Sequence, residues 1–334
     1  MKLDIALLAG GDSSEREVSL GSAATVAAGL DSSRYNVWTI DVRGRDWHYT
    51  APDGRCYPVD RNDFSLTVDG RHIPLRYALV MIHGTPGEDG RMQGYLDMMG
   101  VPYSSCSQLS SAITFDKQCT KLAVAAAGIA VARGRLIAAG ETVDPAALAS
   151  GLGLPMFVKP NASGSSCGVA KVKSIEQIAP AIAAAREESP EVLAEAQVVG
   201  REFGCGVLVA GGREYLLPVT EIVSRREFFD YQAKYTDGLS EEITPAMIDP
   251  RLTETLQRMA LTAYRACRCR GVVRIDFIVT PEGQPFLIEV NSIPGMSGGS
   301  IIPKQLSAAG MTVGGLYDLI IGDTLASVDP SAER

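Results

Sequence analysis

The stretch RIDFIVTPEGQPFLIEVNSIPG, Arg274 to Gly295, decides how the rest of the chain is read. Two apolar runs flank Pro281-Glu282-Gly283, which is turn chemistry and predicts a β-hairpin. Yet an acid sits inside each run, Asp276 in the first and Glu289 in the second. Side chains alternate along a strand, so Arg274, Asp276 and Ile278 are expected on one face, and Leu287, Glu289 and Asn291 on the matching face of the partner. A turn centred on Glu282-Gly283 pairs 279 with 286 and therefore 276 with 289; a slip of one residue would undo that match. Facing carboxylates destabilise a sheet, by about 4 kcal/mol at ~4 Å and an effective dielectric of about 20. Something must neutralise them. Asp276, Glu289 and Asn291 are hard oxygen donors of the kind Mg²⁺ selects. The plainer alternative is an Arg274–Asp276 salt bridge with Glu289 turned to solvent, although Phe286, Ile288 and Val290 predict burial of the strand's other side.

Outward from the hairpin, Asn291 to Ser300 (NSIPGMSGGS) leads into a helix and offers free N–H groups to an anion. Arg274, on the carboxylate face, suits an oxyanion or a phosphate. Upstream, FVKPNASGSSCGVAKV (Phe157 to Val172) ends an apolar strand at Lys159 and continues through Gly164, Ser165, Ser166 and Gly168. The backbone of such a loop closes over phosphate oxygens, although a flexible hairpin has the same composition. It is no Walker A sequence, since the lysine precedes the loop and a strand follows it. Lys117 opens another helix and is either a second phosphate cation or a solvated lysine. FFDYQAKYTDG (Phe228 to Gly238) carries four aromatics and Lys234 in a long loop, which is either ordinary surface or a cover for an active site. Two lysines, a Gly/Ser loop, an oxygen-donor face and an anion-binding turn together point to ATP-dependent activation of a carboxylate.

The first hundred residues alternate strand and helix, which predicts a small parallel α/β unit. A polar, turn-rich segment follows Asp41, and PYSSCSQLSS (Pro102 to Ser111) reads as a linker. GGDSSE (Gly10 to Glu15) is not GxGxxG, so a dinucleotide fingerprint fits poorly; its serines suit a helix cap and Glu15 suits ordinary first-turn electrostatics. HGTPGEDG (His83 to Gly90) follows a strand end, where open α/β sheets bind ligands, but His83 reads equally as structural. Three lobes fit the order: 1–104, 105–192 and 193–334.

A chain of 334 residues with 46% hydrophobic content can bury two or three cores. Its net charge of −8 argues against nucleic acid as main partner. MKLDIALLAGG reads as a first strand, not a signal peptide, and Leu122 to Ala132 is far short of the ~20 residues a bilayer span needs. A cytosolic protein without a membrane partner is expected. Seven cysteines, an odd number, suggest free thiols over a disulfide framework.

GGDSSEREVSL, HGTPGEDGRMQG, FDKQCTK, FVKPNASGSSCGV, GREFG, FFDYQAKY, RIDF and LIEVNSIPGMSGGS, in this order, resemble the D-alanine–D-alanine ligase family of the ATP-grasp superfamily. The resemblance implies an α/β chain (α+β overall) with the ATP-grasp fold: an N-terminal parallel α/β domain, then two α+β lobes enclosing ATP. It implies that Lys117, Lys159 and Lys234, with Ser166 of the Gly/Ser loop, meet the ATP phosphates. Glu195 and the backbone of Val198 would meet the adenine, and Glu202 the ribose. Asp276, Glu289 and Asn291 would carry two Mg²⁺ or Mn²⁺ ions. In the family's chemistry one D-alanine carboxylate attacks the γ-phosphate, and the amine of a second D-alanine displaces phosphate from the acyl phosphate through a tetrahedral intermediate. Arg274 and the Gly295 N–H would stabilise the oxyanion. Glu15, linked to Ser165 and Tyr235, would hold the first ammonium. His83 joins the substrate-binding set, and Ser300 would bind the second carboxylate. The implied product is D-alanyl-D-alanine for the cell wall, made by a homodimer. One departure is Tyr103-Ser-Ser-Cys-Ser107, where the family often has a YTGSG-like turn. Two alternatives stay open. Another ATP-grasp ligase, such as one making D-alanyl-D-lactate, would differ at Glu15, Tyr235 and Ser300, and the lactate type lacks the tyrosine-bearing segment. A catalytically silent nucleotide-binding regulator would have lost metal ligands or phosphate lysines, and none is missing.

Overall fold

The computed structural model describes residues 2–164, 167–224 and 240–328. Ser165, Ser166, Lys234 and Tyr235 lie outside the described residues, as does the whole FFDYQAKYTDG stretch.

The run LDIALLAG uses both of its faces. It forms β1 (Leu3–Gly10), with Ile5, Leu7 and Ala9 in one core and Ala6 and Leu8 in another. Such continuous apolar character belongs to a parallel strand covered on both sides, and β1 pairs in parallel with β2 (Tyr35–Arg43). The chain then runs through β3 (Asp46–Thr50), β4 (Cys56–Asp60), β5 (Ser65–Val68) and β6 (Arg71–Pro74) to β7 (Tyr77–Val80), which flanks β1 on its other side. The sheet order is β6-β5-β4-β3-β2-β1-β7. The segment after Asp41, expected to be turn-rich, is thus four antiparallel strands. Each is only four or five residues long, and anchors such as Val59, Leu66 and Ile73 are too sparse to show a period. Helix α1 (Arg16–Gly29) covers one face through Ala23 and Val26, and α2 (Arg91–Met99) the other through Met92 and Leu96.

PYSSCSQLSS is also corrected. Ser104 and Ser105 are buried, and the Val80 N–H donates to Ser104 Oγ at 3.1 Å. Ser107 caps α3 (Gln108–Phe115), so the supposed linker opens a helix. Asp116 caps α4 (Lys117–Ala126), accepting from the Cys119 N–H at 2.7 Å.

The next unit comprises β8 (Gly134–Ile137), α5 (Pro145–Leu152), β9 (Met156–Pro160), β10 (Ala170–Val172), α6 (Ile178–Glu188) and β11 (Val192–Ala196). Its strands form an antiparallel sheet of order β10-β9-β11-β8. A six-stranded antiparallel sheet follows: β12 (Arg201–Ala210), β13 (Arg213–Leu216), β14 (Thr220–Ser224), β15 (Ser240–Ile243), then α7 (Pro250–Ala266), β16 (Val272–Val279) and β17 (Pro285–Asn291). β13 and β14 are separated at Pro218, which has no N–H to give to a ladder. Helix α7 packs Leu256, Ala260 and Tyr264 against Phe203, Val273 and Ile275. After α8 (Ile301–Ala308), an unanticipated α9 (Val313–Val328) sends Leu316, Tyr317 and Ile320 back into the core beneath β1. Among the described residues no helix is long and apolar enough to cross a membrane.

The last hairpin meets its expected pairing by an unexpected route. At the turn, Val279 pairs with Pro285, one residue out of the expected register. The register then shifts between Phe277 and Asp276, so that Asp276 meets Glu289 and Arg274 meets Asn291. Ile288 is the extra residue of this β-bulge. The bulge also moves Leu287 to the core face, buried with Phe277 and Val290 and not beside the acids, while Ile288 is only half-buried. Leu287→Ala should therefore cost about 2–5 kcal/mol of unfolding free energy in urea, and Ile288→Ala less than half as much. Equal losses would contradict the bulge.

Candidate active site

The floor of the site is this hairpin. Arg274 lays its guanidinium along Asp276, with Nε donating to Oδ1 at 2.9 Å and Nη2 to Oδ2 at 2.8 Å. Both side chains are largely buried, at 16% and 4% exposure. Burial opposes the charge on Arg274, but Asp276 and Glu289 outweigh it and hold its pKa above the ordinary value. The salt bridge first raised as the plainer alternative is therefore real and offsets the charge of Asp276. It does not turn Glu289 away, because Glu289 lines the same cavity. Gly204 of β12 pairs with Asp276, and its missing side chain leaves the room: a Cβ there would lie 3.3 Å from Asp276 Oδ1 and 3.5 Å from Arg274 Cδ. Asn291 Nδ2 donates to Asp276 Oδ2 at 3.0 Å.

These groups fit a hard divalent cation. Two carboxylates and an amide share one face, with Arg274 forked onto Asp276. Among the described residues no group of three or more His, Cys, Asp or Glu is gathered for a metal. A cation here would complete its shell with oxygens from water or a bound phosphate, which is how Mg²⁺ is usually held.

The opposite wall comes from the first lobe. Glu15 immediately precedes α1, and its side chain makes no hydrogen bond that caps the helix. It is buried at 8% exposure and turned to the cavity. Gly164 comes so close that a Cβ would lie 2.1 Å from Glu15 Oε2, which places this glycine against the acid. His83 is buried, with Nε2 3.3 Å from Ser22 Oγ; the same hydroxyl accepts from the Met296 N–H at 3.1 Å. One serine thus ties α1, the segment after β7 and the Ser292–Ser300 loop together. Burial and then Arg274 push the His83 pKa down to about 4. Glu88 of HGTPGEDG accepts from the Gly84 N–H at 2.8 Å; burial and then Glu15 push its carboxyl upward.

The third side is the loop into α8. Ser300 precedes the helix and shares a 2.8 Å hydrogen bond with Ser297. A Cβ on Gly295 would lie 2.8 Å from Ser300 Oγ, so the glycine lets that hydroxyl approach. Lys117 Nζ donates to the Ser163 carbonyl at 2.7 Å. The space enclosed is about 680 Å³. Lys117 and Glu202 line it together with the groups above. Lys159, Glu195 and Val198 do not. Instead, Lys121 and Lys159 each pair with one oxygen of Glu195, all three side chains being about nine-tenths buried. Burial would raise the Glu195 pKa, but the two lysines outweigh it and hold it below the ordinary value. Lys121 was missed in the sequence. Its only signal was its place four residues after Lys117 in FDKQCTK, one turn along the same helix.

The His83 shift has a sign that can be measured. Between pH about 4 and 6.5 the unfolded chain binds a proton that the folded site refuses, so stability rises with pH across that window. In urea unfolding at pH 4.5 and pH 7, wild type should gain on the order of 2 kcal/mol more than His83→Gln as the pH rises. Identical gains would contradict a neutral buried imidazole.

The sequence and fold can be set beside known proteins. The family models "D-ala D-ala ligase N-terminus" and "D-ala D-ala ligase C-terminus" match residues 4–106 and 124–322. A D-alanine--D-alanine ligase of Bacteroides fragilis (strain YCH46) is 44% identical over 313 residues, which are 94% of this chain and 96% of that protein. Among solved structures, D-alanyl-alanine synthetase A from Vibrio cholerae O1 biovar eltor aligns with a TM-score of 0.88 at 31% identity, covering 97% of this chain and 99% of that one. The VanG D-Ala:D-Ser ligase from Enterococcus faecalis aligns at 0.85 and 31%, covering 96% and 99%. With both halves matched by one family and the ATP-grasp architecture shared along nearly its whole length, this chain belongs to the D-alanine–D-alanine ligases.

Proposed function

We propose that the protein joins two D-alanine molecules into D-alanyl-D-alanine for cell-wall precursor synthesis, converting ATP to ADP and phosphate. The observation that carries this reading is one cavity of about 680 Å³ onto which Glu15, Arg274, the Asp276–Glu289 pair and Ser300 all open. Its two ends suit an amino acid: Glu15 would take the ammonium of the first D-alanine, and Ser300 the carboxylate of the second. ATP would supply the phosphoryl group that makes the first carboxylate reactive. Arg274 and the Gly295 N–H would face the oxyanion of the tetrahedral intermediate, and His83, neutral above about pH 4, would lend polarity to the donor wall without adding charge. Asp276, Glu289 and Asn291 would hold Mg²⁺ or Mn²⁺ against the phosphates. Lys117 and Lys159 would meet the phosphates; Glu195, kept ionised between two lysines, and the Val198 backbone would meet the adenine, with Glu202 on the ribose. Ser165, Ser166, Lys234 and Tyr235 enter this reading from the sequence alone. So do the lobes 1–104, 105–192 and 193–334, the homodimer and the cytosolic location.

A second reading makes D-serine the acceptor, favoured by the equal identity of the chain to the synthetase and to the D-Ala:D-Ser ligase. Phosphate release with product identification by mass separates the two. We expect D-alanyl-D-alanine from D-alanine and ATP, with D-serine and D-lactate as weaker acceptors. A predominance of the mixed serine product would replace the first reading, and turnover independent of D-alanine would overturn both. Arg274→Ala should lower kcat by about 10²–10³-fold if its guanidinium meets the oxyanion; an unchanged kcat would remove it from that role.

A further inference from the structure

The cavity is short of positive charge. Among the described residues that line it, three are basic (Lys117, Arg274 and Lys304) and seven are acidic. A carboxylate-bearing acceptor entering such a site is repelled unless a cation receives it. Arg274 is forked onto Asp276, and Lys117 donates to a backbone carbonyl. Lys304 is differently placed. Its ammonium pairs with Glu242 of β15 at 2.8 Å, and the side chains remain 39% and 20% exposed. An ion pair this open to water holds its partners weakly, so Lys304 can exchange Glu242 for another carboxylate at little cost. Lys304 follows Ser300 by four residues, one helical turn, and therefore rises from the same side of α8. The helix itself is fixed from below: Gln305 Nε2 donates to the Gly204 carbonyl at 2.9 Å and to Thr220 Oγ1 at 3.1 Å, and Ile302 and Leu306 are buried.

We propose that Lys304 is a specificity-determining residue that receives the carboxylate of the acceptor amino acid beside Ser300, with Glu242 holding its ammonium at the cavity wall when no acceptor is bound. This rests on Ser300 being the acceptor end of the site. The acceptor class is a small amino acid with a free amine and a free α-carboxylate.

The test compares D-alanine with D-alaninamide as acceptor. The amide keeps the amine but has no carboxylate to be phosphorylated, so it serves only in the second position. Wild type should prefer D-alanine by tenfold or more in kcat/KM. Lys304→Met should reduce that preference at least tenfold by raising the acceptor KM, with the donor KM within twofold of wild type, and Lys304→Arg should restore most of it. Glu242→Gln, which frees the lysine, should leave the acceptor KM unchanged or lower it. The proposal is overturned if Lys304→Met keeps the wild-type preference, if donor and acceptor KM rise together, or if Glu242→Gln raises the acceptor KM as Lys304→Met does, since the pair would then be a structural clasp. Failure of the ligase reading is a separate result: wild type would make no dipeptide at all.

Discussion

Two acids directly opposite each other in a buried hairpin are the constraint on which the site depends. Asp276 and Glu289 meet only because Ile288 bulges out of β17 and corrects a turn that would otherwise set them one residue apart. The same bulge turns Leu287 into the core, so packing and chemistry are specified by one irregularity. Arg274 is forked onto Asp276, and in our reading a divalent cation sits against the acid pair. The arrangement is poor for stability alone, since buried charge is seldom the most stable filling for a sheet. Its sense lies in the phosphates and oxyanion it would meet.

The remainder of the fold brings other groups to that hairpin. Glu15 stands at the C-terminal edge of a parallel strand, against a glycine of the second unit close enough to exclude any side chain. Ser22, His83 and Met296 join the first sheet to the loop preceding α8, and α9 seals the same junction from below with Leu316 and Tyr317. A cavity built at such junctions senses how its walls sit together, which suits a reaction needing water kept from an acyl phosphate.

Much of this was legible in the sequence, for identifiable reasons. β1 and the last hairpin announce themselves by their apolar runs, and the acids inside the two hairpin runs marked the floor of the site. The bulge was not legible, because a pairing rule counted from the turn assumes regular strands; the expected match of 276 with 289 survived through an irregularity the count ignored. Short strands β3 to β6 carry too few apolar residues for a period, and Ser104 and Ser105 look like linker residues until their burial is seen. Lys121 and the Lys304–Glu242 pair were missed because isolated charges on helices and strands normally face solvent. Only the meeting of distant segments gives them partners.

The most direct test is Mn²⁺ binding followed by electron paramagnetic resonance in the presence of ADP, for wild type and Glu289→Gln, with circular dichroism confirming that both are folded. If the facing acids hold a cation, the variant should bind Mn²⁺ at least tenfold more weakly than wild type. Equal binding by both proteins would contradict the account.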